Sequence, residues 1–131
     1  MNEIDDSTEA VSEVHLKPTQ DAPGDARRFV ADVLDGHAAV EPAKLIISEL
    51  VTNAVLHGGR DAGRVTVMLR KDDEHDRVRL EVSQSEHPGF QYLDREPGHL
   101  GPTGRGLMIV DAIATEWGID DETGSVWVVL A

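Results

Sequence analysis

The chain has 131 residues, a length that suits a single compact domain. Its 12 basic and 25 acidic residues give a formal net charge of −13, which disfavours nucleic acid and anionic membranes as partners because both require clustered Lys and Arg. The absence of cysteine excludes disulfides, cysteine-ligated zinc and thiol catalysis. With no apolar run of membrane-spanning length and an acidic start, the sequence predicts a cytoplasmic protein.

The N-terminal quarter begins with an acidic segment. Residues 1–13 carry five acids and no base, which predicts a disordered tail, and residues 14–131 are predicted to form one domain. A short strand is expected at 14–16. A first helix is expected to begin near Asp21, with Pro23 in its first turn, and to stop at Gly36.

A second helix has a clearer pattern, with Pro42 in its first turn and no breaker before Gly58. Apolar residues cover most of its circumference, which predicts a largely buried helix. Glu49, Asn53 and His57 are spaced i, i+4, i+8 and form one polar stripe on it. A glutamate there can orient or deprotonate a nucleophile and an asparagine oxygen can ligate Mg²⁺. The stripe is equally compatible with buried polar residues that only cap neighbouring backbone groups.

Two alternating segments at 65–70 and 78–83 predict an antiparallel hairpin with one buried face, joined by a short polar connection. Residues 85–104 contain four glycines and three prolines, which predicts a long loop of the kind that serves as a lid. A closing strand is expected at 125–130, with a further strand near 117–120 as an option. Helices on one face of a mostly antiparallel sheet, an α+β two-layer sandwich, is the expected fold.

Glycines also mark the start of a third helix, expected to open at 104–106 and to end at Gly118. Backbone N–H groups at such a glycine-rich start can approach an anion, and Arg105 would add positive charge. The spacing is neither that of a P-loop nor that of a dinucleotide-binding fingerprint. A phosphate cradle and a simple flexible turn both remain open on the motif alone.

Taken together, these motifs resemble the GHKL (Bergerat-fold) ATPases and kinases, and in particular the small bacterial anti-sigma-factor serine/threonine kinases. The resemblance covers about residues 14–131. Its strongest parts are the phrases SELVTNAVLHG at 48–58 and GRGLMIVDA at 104–112, and it extends to ARRFV at 26–30 and VWVVL at 126–130.

The resemblance implies a Mg²⁺- and ATP-dependent activity. It assigns the catalytic base to Glu49 and the Mg²⁺ ligand to Asn53, and gives no certain role to His57. It also implies a set of triphosphate contacts at the junction of lid and helix, namely Gly104, Arg105, Gly106 and Leu107. Family kinases bind a sigma factor and phosphorylate a Ser or Thr of an anti-anti-sigma partner, and dimerisation is common among them.

One position departs from the family pattern. The resemblance places Gln84 where the family has an aspartate that accepts the adenine N6 hydrogen, and it leaves Gly89 as the remnant of a following Gly-x-Gly. An amide can still accept from N6 and donate to N1. The lost charge assistance corresponds to about 1.5–3 kcal/mol, or a roughly tenfold to hundredfold weaker nucleotide affinity.

Three functions are consistent with these residues. Intact Glu49 and Asn53 favour a regulatory protein serine/threonine kinase with ATP and Mg²⁺. Gln84 favours a non-catalytic module of the same fold that holds a regulator with weak or lost nucleotide binding. A free-standing small-molecule ATPase is the least favoured, because no coupled domain is present in the sequence. Phosphate transfer that disappears in Glu49→Ala separates the first function from the second.

Overall fold

The computed structural model describes residues 9–58, 63–84, 106–120 and 125–131. The elements in chain order are β1 (Glu9–Leu16), α1 (Ala22–Val33), α2 (Val40–Gly58), β2 (Val65–Asp72), β3 (Arg77–Gln84), α3 (Gly106–Ile113), β4 (Glu116–Asp120) and β5 (Ser125–Leu130). No helix in the described part of the chain is long and apolar enough to cross a membrane.

The described strands form one antiparallel sheet in the order β1-β2-β3-β5-β4. Its register aligns Val14 with Val67, Val67 with Val82, and Val82 with Val126. Cross-strand partners share a face of the sheet, so these residues form a continuous apolar surface. We call the side of the sheet that carries them the inner face and the opposite side the outer face.

The helices cover the inner face. Helix α2 packs on β2 and β3, α1 packs on α2 and β1, and α3 packs on α2 and β4. The predicted α+β two-layer sandwich with helices on one face of an antiparallel sheet is therefore confirmed. The core between the layers is mostly aliphatic, and its largest fully buried side chains are Leu34, Ile46, Ile47, Leu50, Leu69, Leu80, Val30, Val51 and Val65.

Helix α2 begins at Val40, so that Pro42 lies in its first turn as predicted, and it ends at Gly58, the first breaker in the sequence of this helix. Its position explains why apolar residues cover most of its circumference. The sheet lies on one side of the helix, and α1 and α3 pack against other sides. Leu45 and Leu56 are the large apolar side chains of α2 that remain exposed. The prediction of a largely buried helix is confirmed, and among the described residues of α2 Asn53 is the polar one that is buried.

The hairpin is also as predicted, with Val65, Val67 and Leu69 buried on β2 and their partners buried on β3. The turn between the strands contains Asp76 in the left-handed region at φ 55°. At the start of the turn, His75 donates its backbone N–H to the Asp72 carboxylate, and its Nδ1 lies 2.8 Å from Oδ2. The side-chain hydrogen bond with His75 lowers the pKa of Asp72, assisted by the nearby charge of Arg77.

The first strand begins at Glu9, five residues before the predicted start. Residues 9–13 were expected in the acidic tail but pair with β2, with Glu9 opposite Asp72 and Glu13 opposite Met68. The polar composition that predicts disorder does not reveal that β2 offers eight residues of free edge to pair with. Residues 1–8 lie outside the described part, so a tail there stays a prediction.

The predicted end of the third helix at Gly118 is wrong. Helix α3 ends at Ile113, and Gly118 lies in β4, the strand that the sequence offered as an option. Gly118 faces Trp127 across the sheet, and a Cβ at this position would lie 2.7 Å from the indole ring. The glycine is required for close packing of β4 on β5 rather than for stopping a helix.

Candidate functional site

The polar stripe of α2 is partly buried. Asn53 is only 2% exposed, and Glu49, one turn earlier, is half-buried. Both residues are on the same side of the helix because a spacing of four residues returns nearly to the same face. His57 continues the stripe in sequence and belongs to α2, but its side chain lies outside the described residues. This arrangement places an amide oxygen that could ligate a cation one turn from a carboxylate that could accept a proton.

A side-chain contact from α1 fixes the start of this stripe. Arg27 Nη1 donates a hydrogen bond of 2.8 Å to Ser48 Oγ, one residue before Glu49. The arginine and the serine are 21 positions apart in the chain, so the spacing of residues gives no signal for the contact. The bond ties α1 to α2 and restrains the helix that carries Glu49 and Asn53.

Gln84 occupies the last position of β3 on the inner face. It follows Val82 by two residues and stands opposite Val65 in the register, so its amide projects on the same side as the apolar core residues. The side chain is 4% exposed. Neither Oε1 nor Nε2 has a hydrogen-bond partner among the described residues.

The buried amide of Gln84 fits a nucleobase. Leaving a buried amide unsatisfied costs about 1–3 kcal/mol, so a ligand that presents both a donor and an acceptor would be favoured there. The purine ring edge of ATP presents that pair of groups. Helix α2, which carries Asn53, packs directly on β3, which carries Gln84. The helix of the predicted metal ligand therefore lies against the strand of the predicted adenine-binding residue.

The predicted triphosphate contacts are only partly within the described residues. Gly106 and Leu107 are the first two residues of α3, which packs on α2, and their side chains are not described. Gly89, Gly104 and Arg105, together with the predicted lid at 85–104, lie outside the described residues. Their predicted roles stay predictions.

Comparisons with known proteins agree with this fold. The family model of the histidine kinase-like ATPase domain matches residues 16–130. No curated protein sequence matches the chain significantly. Twelve chains of solved structures match it. One is the crystal structure of the RsbU and RsbW domains of Rv1364c from Mycobacterium tuberculosis, with a TM-score of 0.64, 20% identity and coverage of 92% of this chain.

This chain spans 31% of that larger Mycobacterium tuberculosis chain, and at such identity the likeness shows the fold alone. The family match covers nearly the whole folded part and includes α2, β3 and α3. The resemblance to GHKL ATPases found in the sequence is confirmed at the level of the family. The chain belongs to the family of histidine kinase-like ATPase domains.

Proposed function

We propose that the protein is an ATP-dependent regulatory kinase that transfers the γ-phosphoryl group to a Ser or Thr hydroxyl of a partner protein. The observation that carries this proposal is the pair on α2, a half-buried Glu49 one turn before a buried Asn53, in a member of an ATPase family. Burying an amide costs free energy, and a carboxylate one turn away gives the helix two of the groups that phosphoryl transfer uses.

Glu49 is the proposed base. Its carboxylate would accept the proton of the partner hydroxyl while that oxygen bonds to the γ-phosphorus and the bond to the ADP oxygen breaks. The half-buried position suits this role, because it leaves the carboxylate accessible and removes part of the surrounding water. The hydrogen bond from Arg27 to Ser48 would keep this part of α2 in place during transfer.

Asn53 is the proposed metal position. Its amide oxygen would hold Mg²⁺, which when bound supplies positive charge to the phosphates. One neutral protein ligand is sufficient for Mg²⁺ in a nucleotide site, since water and phosphate oxygens complete its shell. The overall charge of −13 makes such neutralisation necessary for a triphosphate. Further positive potential would come from Arg105 and the start of α3, with Gly104, Gly106 and Leu107 as triphosphate contacts and Gly89 at the lid.

The proposed partners are a sigma factor and an anti-anti-sigma protein that carries the acceptor hydroxyl, and the proposed location is the cytoplasm of a bacterium. Support comes from the sequence resemblance and from the fold likeness to a chain with RsbU and RsbW domains. Self-association as a homodimer is part of the same proposal.

Phosphate transfer tests the catalytic part of the proposal. We expect transfer from γ-labelled ATP to a purified anti-anti-sigma protein to fall about a hundredfold or more in Glu49→Ala, because general base catalysis contributes on the order of 10²–10⁴-fold. Affinity for Mg-ATP should change little. The matched control is Glu41→Ala, which removes an exposed carboxylate from the first turn of the same helix. Equal activity in wild type and Glu49→Ala would contradict the proposed base.

A second candidate function is a non-catalytic module that binds a regulator. Gln84 favours this function, because an amide in place of the family's carboxylate removes a charge-assisted hydrogen bond to adenine. The same assay separates the two functions. A module of this kind would bind the regulator tightly but show no transfer in the wild type, and Glu49→Ala would leave regulator binding unchanged.

A further inference from the structure

The amide of Gln84 has unusual surroundings for a buried polar group. The adjacent inner-face residue of β3 is Val82 and the opposite residue on β2 is Val65, and both are fully buried and apolar. These neighbours offer neither a donor nor an acceptor. Within the described part of the chain, no hydrogen bond therefore fixes which way round the Gln84 amide is oriented.

An amide and a carboxylate form different hydrogen bonds with the edge of a purine. Adenine presents an amino donor at position 6 and an acceptor at N1, whereas guanine and hypoxanthine present an oxygen acceptor at position 6 and a donor at N1. A carboxylate offers acceptors only, so an oxygen that faces position 6 accepts from a 6-amino group and repels a 6-oxo group. An amide offers one of each, and a half-turn about its last torsion exchanges them.

We propose that Gln84 is the base-reading residue and that it makes the site a general purine nucleotide site, which accepts 6-oxo purines such as GTP and ITP alongside ATP. For adenine, Gln84 Oε1 accepts from the 6-amino group and Nε2 donates to N1. For a 6-oxo purine the amide is turned over, so that Nε2 donates to O6 and Oε1 accepts from N1–H. This inference rests on the nucleotide site proposed above and adds its substrate range.

Among the described residues, no hydrogen bond favours one orientation of the Gln84 amide over the other. If a neighbouring group held Oε1 or Nε2, turning the amide over would break that bond and leave a buried polar group unsatisfied. The aliphatic neighbours impose no such penalty. Selectivity between 6-amino and 6-oxo purines should consequently be small in the wild type.

Calorimetric titration of the Mg²⁺ complexes of ATP, GTP and ITP tests this. In the wild type we expect dissociation constants for ATP and ITP within about tenfold of each other, which is a difference below about 1.4 kcal/mol. In Gln84→Asp the ATP preference should rise by more than about tenfold, since the carboxylate faces O6 of the other two bases. Comparing ATP with ITP is more direct than comparing ATP with GTP, because hypoxanthine lacks the 2-amino group of guanine and differs from adenine only at N1 and position 6.

Two further variants and a melting curve complete the experiment. Ser83→Asp places the same charge one residue earlier on the outer face of β3 and should leave the selectivity unchanged. Gln84→Leu removes both hydrogen-bonding groups and should weaken ATP and ITP alike. Circular dichroism melting confirms that each variant is folded, and the wild-type ratio decides the question even where a variant is not.

The outcomes distinguish this inference from the proposed function. Wild-type binding of ATP more than about tenfold tighter than ITP overturns the purine inference while leaving ATP binding intact. An equal shift in Ser83→Asp and Gln84→Asp also overturns it. Absence of binding by every nucleotide overturns both this inference and the nucleotide site on which it rests.

Discussion

The outer and inner faces of β3 place polar side chains in very different surroundings. On the outer face, Arg79 lies 4.8 Å from the ring centroid of Trp127 and its Nη2 is 3.5 Å from Glu81 Oε1, while Arg77 lies 3.6 Å from Asp72. On the inner face, Gln84 has only apolar neighbours on its own strand and opposite it on β2. A polar group that solvent or a partner satisfies needs no ligand, so the inner end of β3 is where a ligand is expected.

The same contrast separates structural from functional roles. The outer-face charges are partly exposed ion pairs of the kind that contribute little stability. The inner face holds the apolar area that stabilises the fold, and Gln84 is placed there at a cost to stability. Perturbing each face in turn sharpens this distinction.

The largest effect is expected in the centre of the inner face. Leu80→Ala removes a fully buried side chain between the layers and should lower the free energy of unfolding by about 2–5 kcal/mol, because it combines lost burial with a cavity. Urea denaturation measures the change. Its matched control is Glu81→Ala, one residue later on the outer face, which should cost less than about 1 kcal/mol. Similar losses in both variants would contradict the assignment of the faces.

A smaller loss is expected for Gly118→Ala. The added Cβ would lie 2.7 Å from the Trp127 ring, so the indole must shift and the contact with Arg79 is disturbed. We expect about 1–3 kcal/mol of destabilisation, in the range for overpacking, together with a change in tryptophan fluorescence. Gly24→Ala in α1 is the control, because its Cβ would meet nothing closer than 3.6 Å and alanine favours a helix. A stable Gly118→Ala protein with unchanged fluorescence would show that β4 is not packed in this way.

An effect of opposite sign is expected at Gln84. Gln84→Met replaces the amide by an unbranched apolar side chain of similar length, and should stabilise the nucleotide-free protein by about 1 kcal/mol while weakening nucleotide binding. Thermal melting with and without Mg-ATP measures both changes. Loss of stability in Gln84→Met would mean that the amide is satisfied by the protein itself and serves the fold.

The smallest effect is expected at the hairpin turn, where the pKa of Asp72 is lowered through its hydrogen bond with His75. A lowered pKa in the folded state stabilises the protein above the ordinary value of 3.8, and this contribution is lost as the pH falls below it. Asp72→Asn should therefore lower the melting temperature slightly at pH 7, by an amount that shrinks as the pH falls below 3.8. A difference that grows toward low pH would reverse the sign and contradict this role of Asp72.

Much of the fold could be predicted because its signals are local. The alternation at 65–70 and the unbroken apolar run of α2 each lie within one element, so periodicity finds them without tertiary information. The start of β1 and the position of Gly118 could not be found in this way. The first depends on pairing with β2, where Glu9 lies opposite Asp72, and the second on Trp127 in the neighbouring strand.

The site shows the same division. The spacing of Glu49 and Asn53 on a predicted buried helix indicated both residues as candidates. The family resemblance marked Gln84 as a departure from the aspartate of the family pattern. The surroundings of the Gln84 amide and the bond from Arg27 to Ser48 arise from packing between distant segments and required the structure. Local patterns thus indicated the candidate residues, whereas the burial and hydrogen bonding of their side chains depend on the tertiary fold.

The measurement closest to the central claim is calorimetric titration of ATP into the wild type and into Asn53→Ala, each with and without Mg²⁺. We predict that the wild type binds ATP, that Mg²⁺ strengthens this binding, and that Asn53→Ala loses the Mg²⁺-dependent part. Thr52→Ala, the neighbouring half-buried position on α2, serves as the control and should behave like the wild type. A wild type that binds no ATP, or whose binding is the same with and without Mg²⁺, would contradict a nucleotide site built on α2 and β3.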